Sequence, residues 1–332
     1  MEQISSNLKY QELLEKLNFF KSIEQVEQII TGYSGALTTK VKEGDKFYFV
    51  KFLNKTKNFD KNFQIFSKQC QTPKLFKKGE IDNFQYFITE FINGFTIKSK
   101  YDVLSNNEVY KIGQTIGNEQ LKISTSINSI PAKEYFTKFT KKWKDQISNV
   151  GNLLNINKDM ISIESYGFLH NLFNTVNKRF KKFIKFFNNE PAFYCHSDLK
   201  IGNFILTDDK VYTVDFENTD YEFMAYKIRS DFYDIIERSP IRYKTWFFIK
   251  GFIDSFYNYK IPKNLKTQLE FVFYYSLSGR ITKRLNEKNY ADVERIFNNL
   301  TYNFREFKKI SNLFDFEAKK DKFMKTIIKK EK

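Results

Sequence analysis

The sequence predicts an α+β protein of two lobes, a small antiparallel sheet followed by a larger, mostly helical part. Three observations predict it. β-prone runs separated by turn residues fill the chain up to Ile92. Apolar residues at helical spacing dominate from Asn106 onward. Between the two textures lies one short connector, Phe91–Gly94. The length of 332 residues agrees with a two-part chain, since a domain takes about 150.

The elements follow in order. Gln11 to Gln28 has helix-like apolar spacing at Leu13, Leu14, Leu17 and Phe20. A strand–turn–strand pattern comes next, with Thr31–Val41, a turn at Glu43-Gly44-Asp45, and the β-rich run Phe47–Leu53. Phe59–Lys68 suits a short helix stopped by Pro73. Glu80–Asn83 reads as a hairpin turn before the β-prone run Phe84–Ile92. Long helical patterns then cover Asn106–Ile123, Ala132–Ser148 and Ser165–Phe187. Phe193–Leu206 and Lys210–Phe216 read as a loop flanked by short strands, and the chain is mostly helical from Tyr226. The expected lobes are residues 1–92 and 93–332.

Composition narrows the class. Aromatic residues make up 18% of the chain, too many for a disordered polar protein. Two cysteines, Cys70 and Cys195, exclude a disulfide framework and a four-cysteine zinc site, and a cytoplasmic location is expected. No secretory signal or apolar run of membrane-spanning length is visible. The net charge of +16 invites a nucleic-acid reading. The lysines, however, are spread evenly together with Asn, Ile and Phe, as a low-GC genome produces, and no nucleic-acid motif accompanies them. No nucleic-acid partner is expected. The basic tail Lys319–Lys332 reads as a solvated helix end, with contact to an anionic surface as the alternative.

Residues 194–217, YCHSDLKIGNFILTDDKVYTVDFE, carry the chemistry. They hold His196-x-Asp198, then Asn203 five residues after Asp198, then Asp215 on the β-type run Val211–Phe216. Phosphoryl transfer needs this set. One carboxylate accepts the proton of an attacking hydroxyl, while an amide oxygen and a second carboxylate hold Mg²⁺ against nucleotide phosphates. Each element alone is a common turn; the spacing of the combination is what points to the chemistry.

HSDLKIGNFIL followed by TVDFE resembles the aminoglycoside phosphotransferase and choline kinase superfamily, the small-molecule branch of the protein-kinase-like fold. The resemblance implies Asp198 as catalytic base, Asn203 and Asp215 as Mg²⁺ ligands, and His196 as a structural member of the catalytic loop. Glu217, in the D-F-E triplet, is similar to the form in choline and ethanolamine kinases. ITGYSGALTTKV resembles the family's nucleotide loop, with Gly32, Ser34 and Gly35 beside the phosphates of ATP. Lys51 resembles the lysine on the α/β-phosphates. Glu90-Phe91-Ile92-Asn93-Gly94 resembles the linker whose backbone faces adenine. Asp231, in RSDFYD, resembles the acid that braces the catalytic loop.

The chain also departs from the family pattern. Asp60 is the only acid between Lys51 and Gly79, where relatives place a Glu that pairs with the lysine. Ser197 and Ile201 stand where Gly and Pro are usual, and the interval from Asp215 to Asp231 is long. The expected substrate is a small alcohol of choline or ethanolamine type, because Tyr221, Phe223 and Tyr226 offer rings to a cation and Asp220 and Glu222 add negative charge. Helices after Asp231, with Trp246, Tyr274 and Tyr275, would wall the site. A sugar or surface-glycan precursor and an aminoglycoside are the alternative acceptors. A non-catalytic nucleotide-binding scaffold is the alternative of another class. The chain has no H-R-D, D-F-G or A-P-E segment, which argues against a protein kinase.

Overall fold

The computed structural model describes residues 11–29, 36–54, 59–100, 102–187, 190–196, 201–215, 219–228 and 244–311. Contacts divide the chain into two compact units. One comprises residues 1–95 and 204–217, the other residues 96–203 and 218–332.

The first unit is built on a five-stranded antiparallel sheet of β1 (Gln25–Gln28), β2 (Leu37–Glu43), β3 (Lys46–Asn54), β4 (Leu75–Ile81) and β5 (Phe84–Glu90), in the order β1-β2-β3-β5-β4. Two tight turns set its register. Gly44 has φ 57° between β2 and β3, and Asp82 has φ 51° between β4 and β5. Both lie in the left-handed region that a hairpin turn requires. Side chains alternate along β3. Tyr48, Val50 and Phe52 join Leu13, Leu14 and Leu17 in the core of this unit. Phe49 and Lys51 therefore stand on the opposite face of the sheet.

The expected helix over Gln11–Gln28 is only partly present. Residues 11–16 are helical, Asn18 turns the chain at φ 48°, and Gln25–Gln28 is an edge strand paired with Thr39–Lys42. Cross-strand pairing overrides a local pattern that is ambiguous for so polar a segment. The short helix α1 (Phe59–Gln69) follows β3. Beyond the connector come β6 (Phe95–Thr96) and, in the segment 204–217, the hairpin of β8 (Phe204–Leu206) and β9 (Val211–Thr213).

The second unit is helical: α2 (Asn106–Ser126), α3 (Ala132–Ile156), α4 (Ile163–Lys185), α5 (Met224–Lys227), α6 (Thr245–Phe256), α7 (Leu265–Asn286) and α8 (Tyr290–Ser311). A capping box starts α2. Ser105 accepts from the Glu108 amide at 3.2 Å, and Glu108 accepts from the Ser105 amide at 2.7 Å. Helices α2 and α6 pack backbone to backbone through Gly113, Gly117 and Gly251. A second core gathers on Trp143, fully buried in α3, with Phe187, Phe223, Tyr226, Phe271 and Tyr275 at ring distances of 5.3–6.3 Å. A two-stranded ribbon, β7 (Phe193–His196) with β10 (Thr219–Glu222), completes the unit. Among the described residues no helix is long and apolar enough to cross a membrane. The basic tail 319–332 lies outside them.

Glu190 makes this unit sensitive to pH. Its Oε1 and the Tyr257 hydroxyl are buried without a hydrogen-bond partner among the described residues. Burial pushes the Glu190 carboxyl from 4.5 up to about 7, against a smaller opposing pull from Gln268. The folded state thus keeps a proton that the unfolded chain releases near pH 4.5. Stability from this group is full below 4.5 and is lost as pH rises through 7, a loss of about 3 kcal/mol. Glu190→Gln is expected to stabilise the protein by about 2 kcal/mol at pH 8, because a neutral amide still has to be buried, and to give no gain at pH 4.5. Urea titrations at the two pH values check this.

Candidate active site

In the first unit, Lys51 sits in the middle of the sheet, opposite Thr38 on β2 and Phe87 on β5. Its Nζ lies 2.6 Å from Asp215 Oδ1. The lysine side chain is 10% exposed and that of Asp215 51%, so the ammonium is enclosed while the carboxylate still meets solvent. Asp215 follows the β8–β9 hairpin, which is tied down where the Thr213 amide donates to the Gln71 carbonyl at 2.8 Å. Asp215 adopts φ 62°. That left-handed conformation costs a non-glycine residue about 1 kcal/mol, and Asp tolerates it better than most. Such strain concentrates where a side chain must be aimed, and here it accompanies the bond to Lys51.

Glu90 ends β5. Its amide donates to the Lys74 carbonyl at 2.8 Å, and its carboxylate accepts from the Lys74 amide at 3.4 Å. The Phe91 amide donates to the Phe47 carbonyl at 3.3 Å, and Ile92 is buried. Glu90 and Phe91 line a groove of about 460 Å³ with Phe47, Tyr48 and Phe76. Lys40 Nζ stands 4.6 Å from the ring centres of both Phe47 and Phe91. Gly94 is required where it stands, since a Cβ there would meet the Leu206 carbonyl oxygen at 2.5 Å.

In the second unit, His196 and Asn203 are 1% and 3% exposed. His196 ends β7, and Asn203 closes a single 3₁₀ turn, Ile201–Asn203. The His196 amide donates to Gln120 Oε1 at 3.3 Å, and Gln120 Nε2 donates to the Tyr194 carbonyl at 3.3 Å. Lys227 Nζ donates to the His196 carbonyl at 2.8 Å and pairs with Glu222 at 2.9 Å. Burial pushes the Cys195 thiol up to about 11, so it is an inert packing group.

Several expected site residues lie outside the described residues: Gly32, Ser34 and Gly35 of the nucleotide loop, Asp198, Glu217 and Asp231. Asp60 falls in the first turn of α1, and its side chain is likewise outside them. The expected aromatic cage needs correction at two of its three rings, while Tyr221 is half-buried against Tyr194 at 5.3 Å. Phe223 and Tyr226 are 0% and 4% exposed and pack on Trp143. Trp246 and Tyr275 are buried as well. Glu222 is buried and neutralised by Lys227, so it adds no negative rim. In a chain with 38 Phe, rings near a motif fill the core first. Gln120 and Lys227 were not singled out by sequence. The available signal is a lysine inside an apolar run, Met-Ala-Tyr-Lys-Ile over 224–228.

The fold and these residues define a protein-kinase-like molecule of the small-molecule branch. The chain belongs to the choline/ethanolamine kinase family, whose model matches residues 49–315. Members of that family are small-molecule phosphotransferases. No curated protein matches the chain. Among solved structures, spectinomycin phosphotransferase in complex with ADP and spectinomycin is 16% identical at a TM-score of 0.52, covering 92% of this chain and 94% of its own. Glucosamine kinase in complex with glucosamine, ADP and inorganic phosphate is 9% identical at 0.56, covering 87% and 80%. An aminoglycoside phosphotransferase bound to ADP and hygromycin B is 12% identical at 0.51, covering 87% and 95%. At these identities the likeness concerns the fold.

Proposed function

We propose that the protein transfers the γ-phosphoryl group of ATP to the hydroxyl of a choline- or ethanolamine-type amino alcohol. The observation that carries the reaction is the Lys51–Asp215 contact, which brings two of the residues named by sequence together across 164 positions of chain. Family membership supports the acceptor class.

The residues would act as follows. Lys51 presents a buried ammonium to the nucleotide phosphates and holds Asp215 in its left-handed conformation. The donor set of Asp215 carboxylate and Asn203 amide oxygen suits a hard cation such as Mg²⁺, and the half-exposed Asp215 carboxylate is reachable from solvent. When bound, Mg²⁺ neutralises phosphate charge. Asp198 accepts the hydroxyl proton as the acceptor oxygen attacks phosphorus and the bond to the ADP oxygen breaks. The linker Glu90–Ile92 and the loop with Gly32, Ser34 and Gly35 would seat the nucleotide. Positioning and charge neutralisation carry most of such a reaction. A scaffold has no need of a buried lysine aimed at a strained aspartate.

The experiment is ADP release from ATP and Mg²⁺ with choline, ethanolamine, aminoglycosides and simple sugars in parallel. The proposal expects the highest kcat/KM with an amino alcohol. A preference for a sugar or an aminoglycoside would keep the reaction and overturn the acceptor.

A further inference from the structure

Lys227 is fully buried, and the reaction described above does not use it. An ammonium has donors only, and taking it out of water is costly unless partners stand close. Among the described residues Lys227 has two oxygen partners, with the Cys195 thiol also beside it. One is the Glu222 carboxylate at 2.9 Å, which balances its charge. The other is the His196 carbonyl at 2.8 Å, which charge balance does not require. The His196 amide ends on Gln120, also buried, at 3.3 Å. Both backbone polar groups of His196 are therefore held by buried side chains, one from α2 and one from α5.

Those holders are themselves fixed. Met224, Ala225 and Tyr226 of α5 are 1%, 1% and 4% exposed. Glu222 lies on β10, whose pairing with β7 sets Thr219 opposite His196. Asp198 follows His196 by two residues, no more than about 7 Å of extended chain. We propose that Lys227 is a positioning residue: its ammonium, held by Glu222, anchors the His196 carbonyl, two residues before Asp198 in the chain, and turnover depends on that anchor. The inference rests on Asp198 being the base of the proposed transfer. The acid that the family resemblance suggests as a brace, Asp231, lies outside the described residues; among those, Lys227 donates to the His196 carbonyl and Gln120 accepts from the His196 amide.

Lys227→Met alone strands a buried carboxylate, so the double variant Glu222→Leu with Lys227→Met, which removes both charges, is measured beside it. Thermal melting, ADP binding, hydrogen exchange of the peptide spanning 196–203, and kcat with KM for ATP are the readouts. In the double variant the protein is expected to fold and to bind ADP within about threefold of wild type, with exchange over 196–203 at least about tenfold faster. Its kcat is expected to fall about a hundredfold at nearly constant KM, as misplaced catalytic groups do. Lys227→Arg, which still donates, is expected to recover part of both. A folded double variant with exchange and kcat within about threefold of wild type would overturn the proposal. So would a double variant that cannot fold, since the pair would then be a general stability element. If the wild type transfers phosphate to no acceptor, the proposed reaction fails, and the exchange measurement alone still decides what Lys227 does.

Discussion

Lys51→Met is expected to lower turnover by about a hundredfold to a thousandfold, the usual cost of losing one fixed charge on a developing anion. The effect on stability should be small. Asp215 is half exposed, so its carboxylate returns to water when the ammonium is gone. Breaking a pair with one solvated partner costs about 1 kcal/mol or less. Methionine matches the lysine stem and fills the same place between Thr38 and Phe87. Steady-state kinetics and a thermal melt on the same sample separate the two effects. Turnover within about tenfold of wild type would remove Lys51 from the phosphate site.

The second large effect concerns the α2–α6 contact. A Cβ on Gly251 would lie 2.1 Å from the Tyr110 carbonyl oxygen, and one on Gly113 would lie 2.2 Å from that of Phe248. Both obstacles are backbone, so the helices must separate. Overpacking of this kind costs about 3 kcal/mol or more, while replacing a helical glycine by alanine returns about 1 kcal/mol. Gly251→Ala is therefore expected to be destabilising by at least about 2 kcal/mol. Gly151 and Gly167, on α3 and α4, have nothing within 4 Å of a built Cβ. Gly151→Ala and Gly167→Ala are expected to stabilise by about 0.5–1 kcal/mol. Denaturant midpoints of the three variants give the signs, and a neutral or stabilising Gly251→Ala would contradict the close contact.

The strands that carry the site were legible because they are long and β-rich. Phe47–Leu53 and Phe84–Ile92 correspond to β3 and β5, and Lys51 was visible as a lysine between apolar neighbours. The three long helices before β7 were legible from periodicity. Gln25–Gln28 was not, because a polar four-residue edge strand is made by its partner rather than by its own pattern. That residues 204–217 belong with the first unit is a property of long-range contacts, which a linear reading does not contain. Phe223 and Tyr226 looked like part of a cation cage but fill the Trp143 core, while Tyr221 packs on Tyr194 instead. Spacing near a motif cannot tell a ring that faces solvent from one that faces inward. Lys227 shows the converse: its type suggests the surface, and only packing reveals that it is buried.

The central claim, phosphoryl transfer with Asp198 as base, is tested most directly by transfer of labelled γ-phosphate from ATP to the best acceptor, with wild type and Asp198→Asn side by side and ATP binding measured for both. The predicted result is acceptor labelling by the wild type, with binding unchanged and labelling about a thousandfold lower in Asp198→Asn. Equal labelling by the two proteins, or a wild type that binds no ATP, would contradict it.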